Sequence, residues 1–386
     1  MPAPIYLDYN ATTPVDPAVV EAMAPFWGQH FGNPSSNHAY GWAADEAVEQ
    51  ARERVAALVH AETETVMFTS GASESVALGM IGAGMVYREK RNHIITVATE
   101  HKAVLETAWA MERDGFELTI LPVDDHGVAD LDVLRESISE RTLMVSMMLA
   151  NNETGVFGPV AEAAEIAHGH GAFLFTDATQ AVGKISVDVD ALGADMLALS
   201  AHKFYGPKGV GALFVRRKNP RVKLASIIPG AGQQGGLRGG TLNATGIVGL
   251  GKAAELANER LPGETDHLGS LRDRFEQGVL DTVPATHVNG DGAPRLPNTS
   301  SLRFDDLTTA KLLPEMRGLA VSTGSACQTK TAKPSYVLTA MHLSKEQSFS
   351  TIRCSVGHPT SEAEVDGAIE EVVRAVGLVR VEPVIA

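Results

Sequence analysis

Between residues 16 and 258 the chain alternates helical periods with short β-rich runs, and this alternation limits the fold more than any other feature. Helical spacing of apolar residues runs through "DPAVVEAMAPFW", "AADEAVEQARERVAALVH", "SESVALGMIGAGMVYREK", "KAVLETAWAMERDG" and "VAEAAEIAHGHG". Between them lie "TVMFT" (65–69), "HIITVAT" (93–99), "FELTILP" (116–122), "TLMVSMMLA" (142–150), "AFLFT" (172–176), "MLALS" (196–200) and "GALFV" (211–215). Strands that alternate with helices and read as continuous apolar runs predict an α/β fold with a mostly parallel central sheet flanked by helices. After about residue 260 a long helix ("DHLGSLRDRFEQGVLDTV") precedes isolated strands ("SSLRFDD", "STIRCSV") and a closing helix. That texture predicts a smaller α+β C-terminal domain. The division expected is 16–258 for the large domain, with 1–15 and 259–386 forming the small one.

Five polar clusters begin where predicted strands end: "SGASES" (70–75), "TEHKAV" (99–104), "NNETG" (151–155), "DATQAVG" (177–183) and "SAHK" (200–203). In open α/β sheets the carboxyl edge of the strands is where ligands bind. Backbone N–H groups at the strand–helix turn "SGASES" suit a phosphate. The plainer reading of that turn is a simple cap with Ser73 at the N-cap position. No Walker-type loop is present. "GAGQQG" (230–235) matches a dinucleotide fingerprint, but the Gly-rich "GLRGGTLN" that follows does not open a helix, so it reads as a flexible loop.

Asp177 and Lys203 end neighbouring predicted strands on this rim. One acid, one lysine and a phosphate cradle fit pyridoxal 5'-phosphate. That cofactor needs a lysine amine, an acid for its pyridinium nitrogen and a phosphate site. Burial lowers a lysine pKa and makes the amine a usable nucleophile and base. His101 and Gln180 are then candidates for ring and hydroxyl contacts. Lys208, in "GPKG", has only a turn around it and reads as a surface or loop-anchoring charge.

Eleven motifs, in order over nearly the whole chain, resemble the cysteine desulfurases among the fold-type I pyridoxal-phosphate enzymes. They are "YLDYNATTPVDP" (6–17), "FGNPSS" (31–36), "FTSGASES" (68–75), "TEHKAVL" (99–105), "NNETG" (151–155), "TDATQAVGK" (176–184), "SAHKFYGPKGVGAL" (200–213), "RGGT" (238–241), "STGSAC" (322–327), "KPSYVL" (333–338) and "IRCSVG" (352–357). The resemblance implies Lys203 as the Schiff-base lysine, Asp177 as the pyridinium partner and His101 as the ring-stacking residue. It implies Gln180 and Asn152 near the phenolic oxygen, and Ala72, Ser73, Ser200 and His202 at the phosphate. Thr241 matches a residue that reaches the neighbouring subunit's phosphate, which implies a homodimer. Arg353 matches the clamp for the carboxylate of L-cysteine, and Cys327 the thiol that accepts sulfur as a persulfide before passing it to an acceptor protein. Lys330 and Lys333 near Cys327 favour its thiolate. Cys354 reads as structural. The alternatives are another pyridoxal-phosphate aminotransferase, a selenocysteine lyase, or a catalytically quiet scaffold.

Ala201 and Ser73 stand where Gly and Thr are common in that family, and "QTKTAK" after Cys327 is basic. The Ala201 and Ser73 changes are small and should keep the phosphate cradle, whereas the basic run and the short stretch after residue 375 leave two expectations for the acceptor pathway: iron–sulfur assembly, or thio-modification including DNA phosphorothioation. The formal net charge of -15 points away from direct nucleic-acid contact. No apolar run reaches the about 18 residues of a membrane span, no signal peptide is legible, and two cysteines without one predict a cytoplasmic protein. No metal site is expected.

Overall fold

The computed structural model describes residues 3–323 and 333–381. Seven strands form the main sheet: β2 (Val66–Thr69), β3 (His93–Val97), β4 (Glu117–Leu121), β5 (Thr142–Ser146), β6 (Phe173–Asp177), β7 (Met196–Ser200) and β8 (Gly211–Val215). Their order is β2-β8-β7-β6-β5-β3-β4. Every neighbouring pair is parallel except the two involving β8, which runs antiparallel to both β2 and β7. The carboxyl ends of β2 to β7 therefore share one edge, and the amino end of β8 joins them there.

Alternate residues of each strand face opposite sides of the sheet. Phe68, Ile95, Val145, Leu174, Leu197 and Phe214 enter one core, while Met67, Ile94, Met144, Phe175, Ala198 and Leu213 enter another. Both faces are covered, which is why the central strands carry no polar alternation. β4 is the edge strand and shows it, with Ile120 exposed. The run 142–150 is a strand only as far as Ser146. Met147 to Ala150 stay apolar because they are buried in the loop that follows.

A second layer system is built from the C-terminal third. β9 (Thr286–Val288), β10 (Thr299–Phe304) and β12 (Thr351–Ser355) form an antiparallel sheet in the order β12-β10-β9. Its core holds Leu302, Phe304, Ile352 and Cys354 beneath the helix Glu362–Val381. The helix Ala244–Thr282 runs unbroken through residue 258 and past Pro262. It gives Ala253 and Ala257 to the first core and Leu268, Phe275 and Val279 to the second.

The amino-terminal residues tie the two systems together. β1 (Ile5–Tyr6) pairs in parallel with β11 (Leu319–Ala320), and Leu7 is buried in the second core. The chain then crosses to the main sheet's rim, where Thr13 N–H donates to the His202 carbonyl at 3.0 Å. Two local expectations change. Gly71, not Ser73, is the N-cap of the helix Ala72–Tyr87, and Ser73 lies in its first turn. Gly71 has φ +148°, and a Cβ on Gly211 would meet the Gly71 Cα at 2.7 Å, so the turn packs directly on the start of β8. The "GAGQQG" stretch is not featureless either. It ends in a 3-10 turn, Gln233–Gly236, whose Gln234 carboxamide oxygen accepts from the Phe68 N–H at 2.9 Å and so satisfies the open edge of β2.

Candidate active site

The turns at the shared rim enclose a cavity of ≈ 520 Å³. That is within the range of small-molecule sites, roughly 300–1,000 Å³. Lys203, Asp177, His101, Gln180 and Asn152 all line it, as do Ala72, Ser73, Ser200 and His202. Met148 and Ala150 supply apolar wall.

Lys203 closes the 3-10 turn Ala201–Lys203 that follows β7. Its Nζ donates to the carbonyls of Asn10 at 2.6 Å and Ala11 at 2.9 Å. Burial, reinforced by the Arg353 charge and only partly offset by Asp177 and Asp8, lowers its pKa to about 8. Near neutral pH a substantial fraction of the amine is therefore unprotonated, far more than in an exposed lysine of pKa ~10.4.

Asp177 is the last residue of β6, and its Oδ1 accepts from the Thr179 N–H at 2.9 Å. His101 is the N-cap of the helix Lys102–Arg113, with Nδ1 accepting from the Ala103 N–H at 3.1 Å. An accepting Nδ1 fixes the neutral tautomer with its proton on Nε2. Burial lowers the His101 pKa and keeps that tautomer neutral, against the opposing pull of Asp177. The His202 ring meets Thr12 Oγ1 at 3.1 Å, and burial, then the Lys203 and Lys208 charges, lower its pKa to about 4.

The other sequence-predicted residues fall outside the cavity wall. Arg353 lies behind Asn152, 8% exposed, with one terminal nitrogen donating to the Asn152 carbonyl at 2.8 Å and the other to Asp8 Oδ1 at 2.6 Å. Thr241 is exposed on the segment after Arg238 and is not among the residues lining this chain's own cavity. Cys327 and Lys330 lie outside the described residues. Cys354 is buried in β12, where burial pushes its thiol pKa well up, so it stays a protonated, inert thiol.

Two cavity-lining residues carry buried polar atoms with no partner in the structure, Asn152 Oδ1 and Thr179 Oγ1. The helix that opens at Ala72 presents first-turn N–H groups that no helical carbonyl can satisfy. An amine with a lowered pKa, a carboxylate and a neutral imidazole share the wall with that helix start. The set fits pyridoxal phosphate.

The model of the family described as aminotransferase class-V matches residues 5–367. This chain belongs to that family. Among curated relatives, the cysteine desulfurase IscS of Dechloromonas aromatica (strain RCB) is 46% identical over 98% of this chain and 94% of its own length. Among solved structures, a NifS-like protein superposes with a TM-score of 0.89 at 35% identity, covering 97% of this chain and 100% of that one. DndA from Streptomyces lividans superposes with a TM-score of 0.77 at 36% identity, covering 89% and 97%. The protein is a pyridoxal-phosphate-dependent cysteine desulfurase, with L-cysteine as substrate and sulfur passed to an acceptor.

In and around the desulfurase's cavity are residues to which reading the sequence gave no role at the site. Lys208 and Gly209 line it, because β8 is antiparallel and its amino end sits on the rim. Lys208 is therefore a cavity-mouth cation and not a remote surface charge. Asn10 is a hub: its carbonyl accepts from Lys203 and Gln180, and its side chain binds Thr299 Oγ1 at 2.8 Å and the Asn298 side chain at 3.0 Å. Glu100, adjacent to His101, is fully buried, and burial together with Asp177 pushes its pKa well up. No local sequence signal marks these three. They depend on strand direction and on a 193-residue-distant contact between Asn10 and Lys203.

Proposed function

We propose that the cavity binds pyridoxal phosphate through Lys203 and works on L-cysteine with Cys327 as the sulfur acceptor. The observation that carries this is the convergence of Lys203, Asp177, His101 and the helix start at Ala72 on one cavity. Ala72, Ser73, Ser200 and His202 hold the phosphate, with Lys208 adding positive charge at the mouth. Asp177 holds a proton on the ring nitrogen, and the cofactor supplies an electron sink for the pair released at Cα of the substrate. His101 would help hold the cofactor ring, and its neutral Nε2–H would serve as a donor and proton carrier. Gln180 and Asn152 bind the cofactor's phenolic oxygen and the substrate.

Once the substrate's amine has taken its place on the cofactor, the freed Lys203 Nζ would take the Cα proton of L-cysteine, which its lowered pKa favours. The Cys327 thiolate then attacks the substrate sulfur. The Cβ–S bond breaks with its electron pair left on carbon, an S–S bond forms on Cys327, and the carbon skeleton takes one proton at Cβ, regains one at Cα and leaves as L-alanine. Arg353 is the counter-charge for the substrate carboxylate, with Asp8 holding one edge of its guanidinium. Persulfide chemistry of this kind suits a reducing cytoplasm.

The acceptor reading we favour is iron–sulfur assembly, supported by the high identity to an IscS. DNA phosphorothioation is the second reading, supported by the likeness to DndA and by the basic run "QTKTAK".

The working unit in this account is a homodimer in which Thr241 of each copy reaches the other's phosphate. Its exposure, and its absence from the lining of its own cavity, support that reading. Mixing Lys203→Ala with Thr241→Ala tests it. In the mixed dimer, one site has an intact Lys203 and an intact Thr241 from the other copy. Cysteine turnover in the mixture is expected to exceed that of either variant alone. A mixture no more active than the sum of the separate variants, once subunit exchange is verified, would contradict the shared site.

A further inference from the structure

Lys184 is a buried cation that the chemistry above does not use. It follows β6 in the turn that also carries Gln180, and it is 5% exposed. Among the described residues no ion pair joins it to a carboxylate. A buried lysine without a counter-charge is costly. The neighbouring cations Lys203 and Arg353 add to that cost, and burial with these two charges lowers its pKa to about 7.

Its contacts give it a purpose. Nζ donates to the Gln180 backbone carbonyl at 2.9 Å and to Gln180 Oε1 at 3.0 Å. Protonated, the amine is a donor only and selects the oxygen end of the Gln180 carboxamide. The NH2 end is thereby turned the other way, where Nε2 donates to the Asn10 carbonyl at 2.9 Å. That same carbonyl receives Lys203 Nζ. Without Lys184, the Asn10 carbonyl is left as the one described contact that orients the carboxamide.

We propose that Lys184 is a positioning residue that locks the Gln180 carboxamide with its NH2 group toward the Lys203 side of the cavity. The inference rests on the reading of Gln180 as a donor to the cofactor's phenolic oxygen. A donor beside an anionic oxygen lowers its proton affinity. Removing the donor, or the residue that turns it toward the oxygen, raises it.

The test is a spectrophotometric pH titration of the cofactor's visible band in the holoenzyme, with thermal melting of the cofactor-free protein as a folding control. Lys184→Met is expected to raise the midpoint by about one pH unit, the scale of one hydrogen bond to a charged group. Gln180→Leu should move it the same way, and the double variant should move it no further than the larger single shift. Lys184→Gln, which keeps a donor on a shorter stem, should fall between Lys184→Met and the wild type. If Gln180→Leu shifts the midpoint and neither Lys184 variant does, this proposal fails alone. Additive shifts in the double variant would also overturn it. If Gln180→Leu leaves the midpoint in place, the Gln180 reading fails and takes this proposal with it.

Discussion

Lys203→Ala is expected to lower cysteine turnover by about 10⁴-fold or more, the upper end of what a positioned proton-transfer group contributes. The loss has two parts. The amine that anchors the cofactor is gone, and so is the base that takes the Cα proton. The fold should survive the change. Lys203 is only partly buried, and its two acceptors, the carbonyls of Asn10 and Ala11, sit at the cavity edge where water can replace it. The cofactor-free variant should therefore melt within a few degrees of the wild type, because a partly exposed change of this kind costs about 1 kcal/mol or less. The visible absorbance that depends on the lysine linkage should vanish. A variant that keeps both this absorbance and its turnover would remove Lys203 from the account.

Cys327→Ser is the second large effect, and it separates a desulfurase from a mere lyase or aminotransferase acting on the same substrate. A serine hydroxyl has no accessible anion near neutral pH and does not accept sulfur. Persulfide on the protein should fall to background, and alanine release should drop at least about a hundredfold, equivalent to ~2.7 kcal/mol of barrier. Cofactor binding should be retained, since Lys203, Asp177 and the turn at Ala72 are untouched. L-cysteine should still perturb the visible band. Wild-type release of alanine and sulfur from this variant would contradict the persulfide route. Cys354→Ser is the natural control. Its thiol is buried in β12 and held protonated, so any effect should appear in stability and not in sulfur transfer.

The sheet was legible because its inner strands are buried on both sides. "TVMFT", "AFLFT", "MLALS" and "GALFV" have no other plausible use between helical periods, and each became a strand within a residue or so. Strand ends were less legible. The apolar character of Met147 to Ala150 reflects burial and not extension, and local sequence does not separate the two. The rim residues Lys203, Asp177 and His101 were found because parallel strands put their carboxyl ends together. Lys208 was missed for the same reason, since it precedes β8 and only the sheet's topology shows that β8 runs backwards. β1 and β11, two residues each and more than 300 positions apart, leave no periodic trace at all. Lys184 looked like an ordinary lysine because burial of a charged side chain is a property of packing.

The most direct test of the central claim is to identify which lysine carries the cofactor. Borohydride reduction of the holoenzyme, followed by proteolysis and peptide mass mapping, makes the linkage permanent and locates it. Among the described residues, Lys203 and Lys208 line the cavity and Lys184 contacts the lining residue Gln180. The account predicts the pyridoxyl mass on Lys203 in the peptide containing "SAHKFYGPK", and on neither of the other two. The label on Lys184 or Lys208, or no labelled lysine at all, would contradict it.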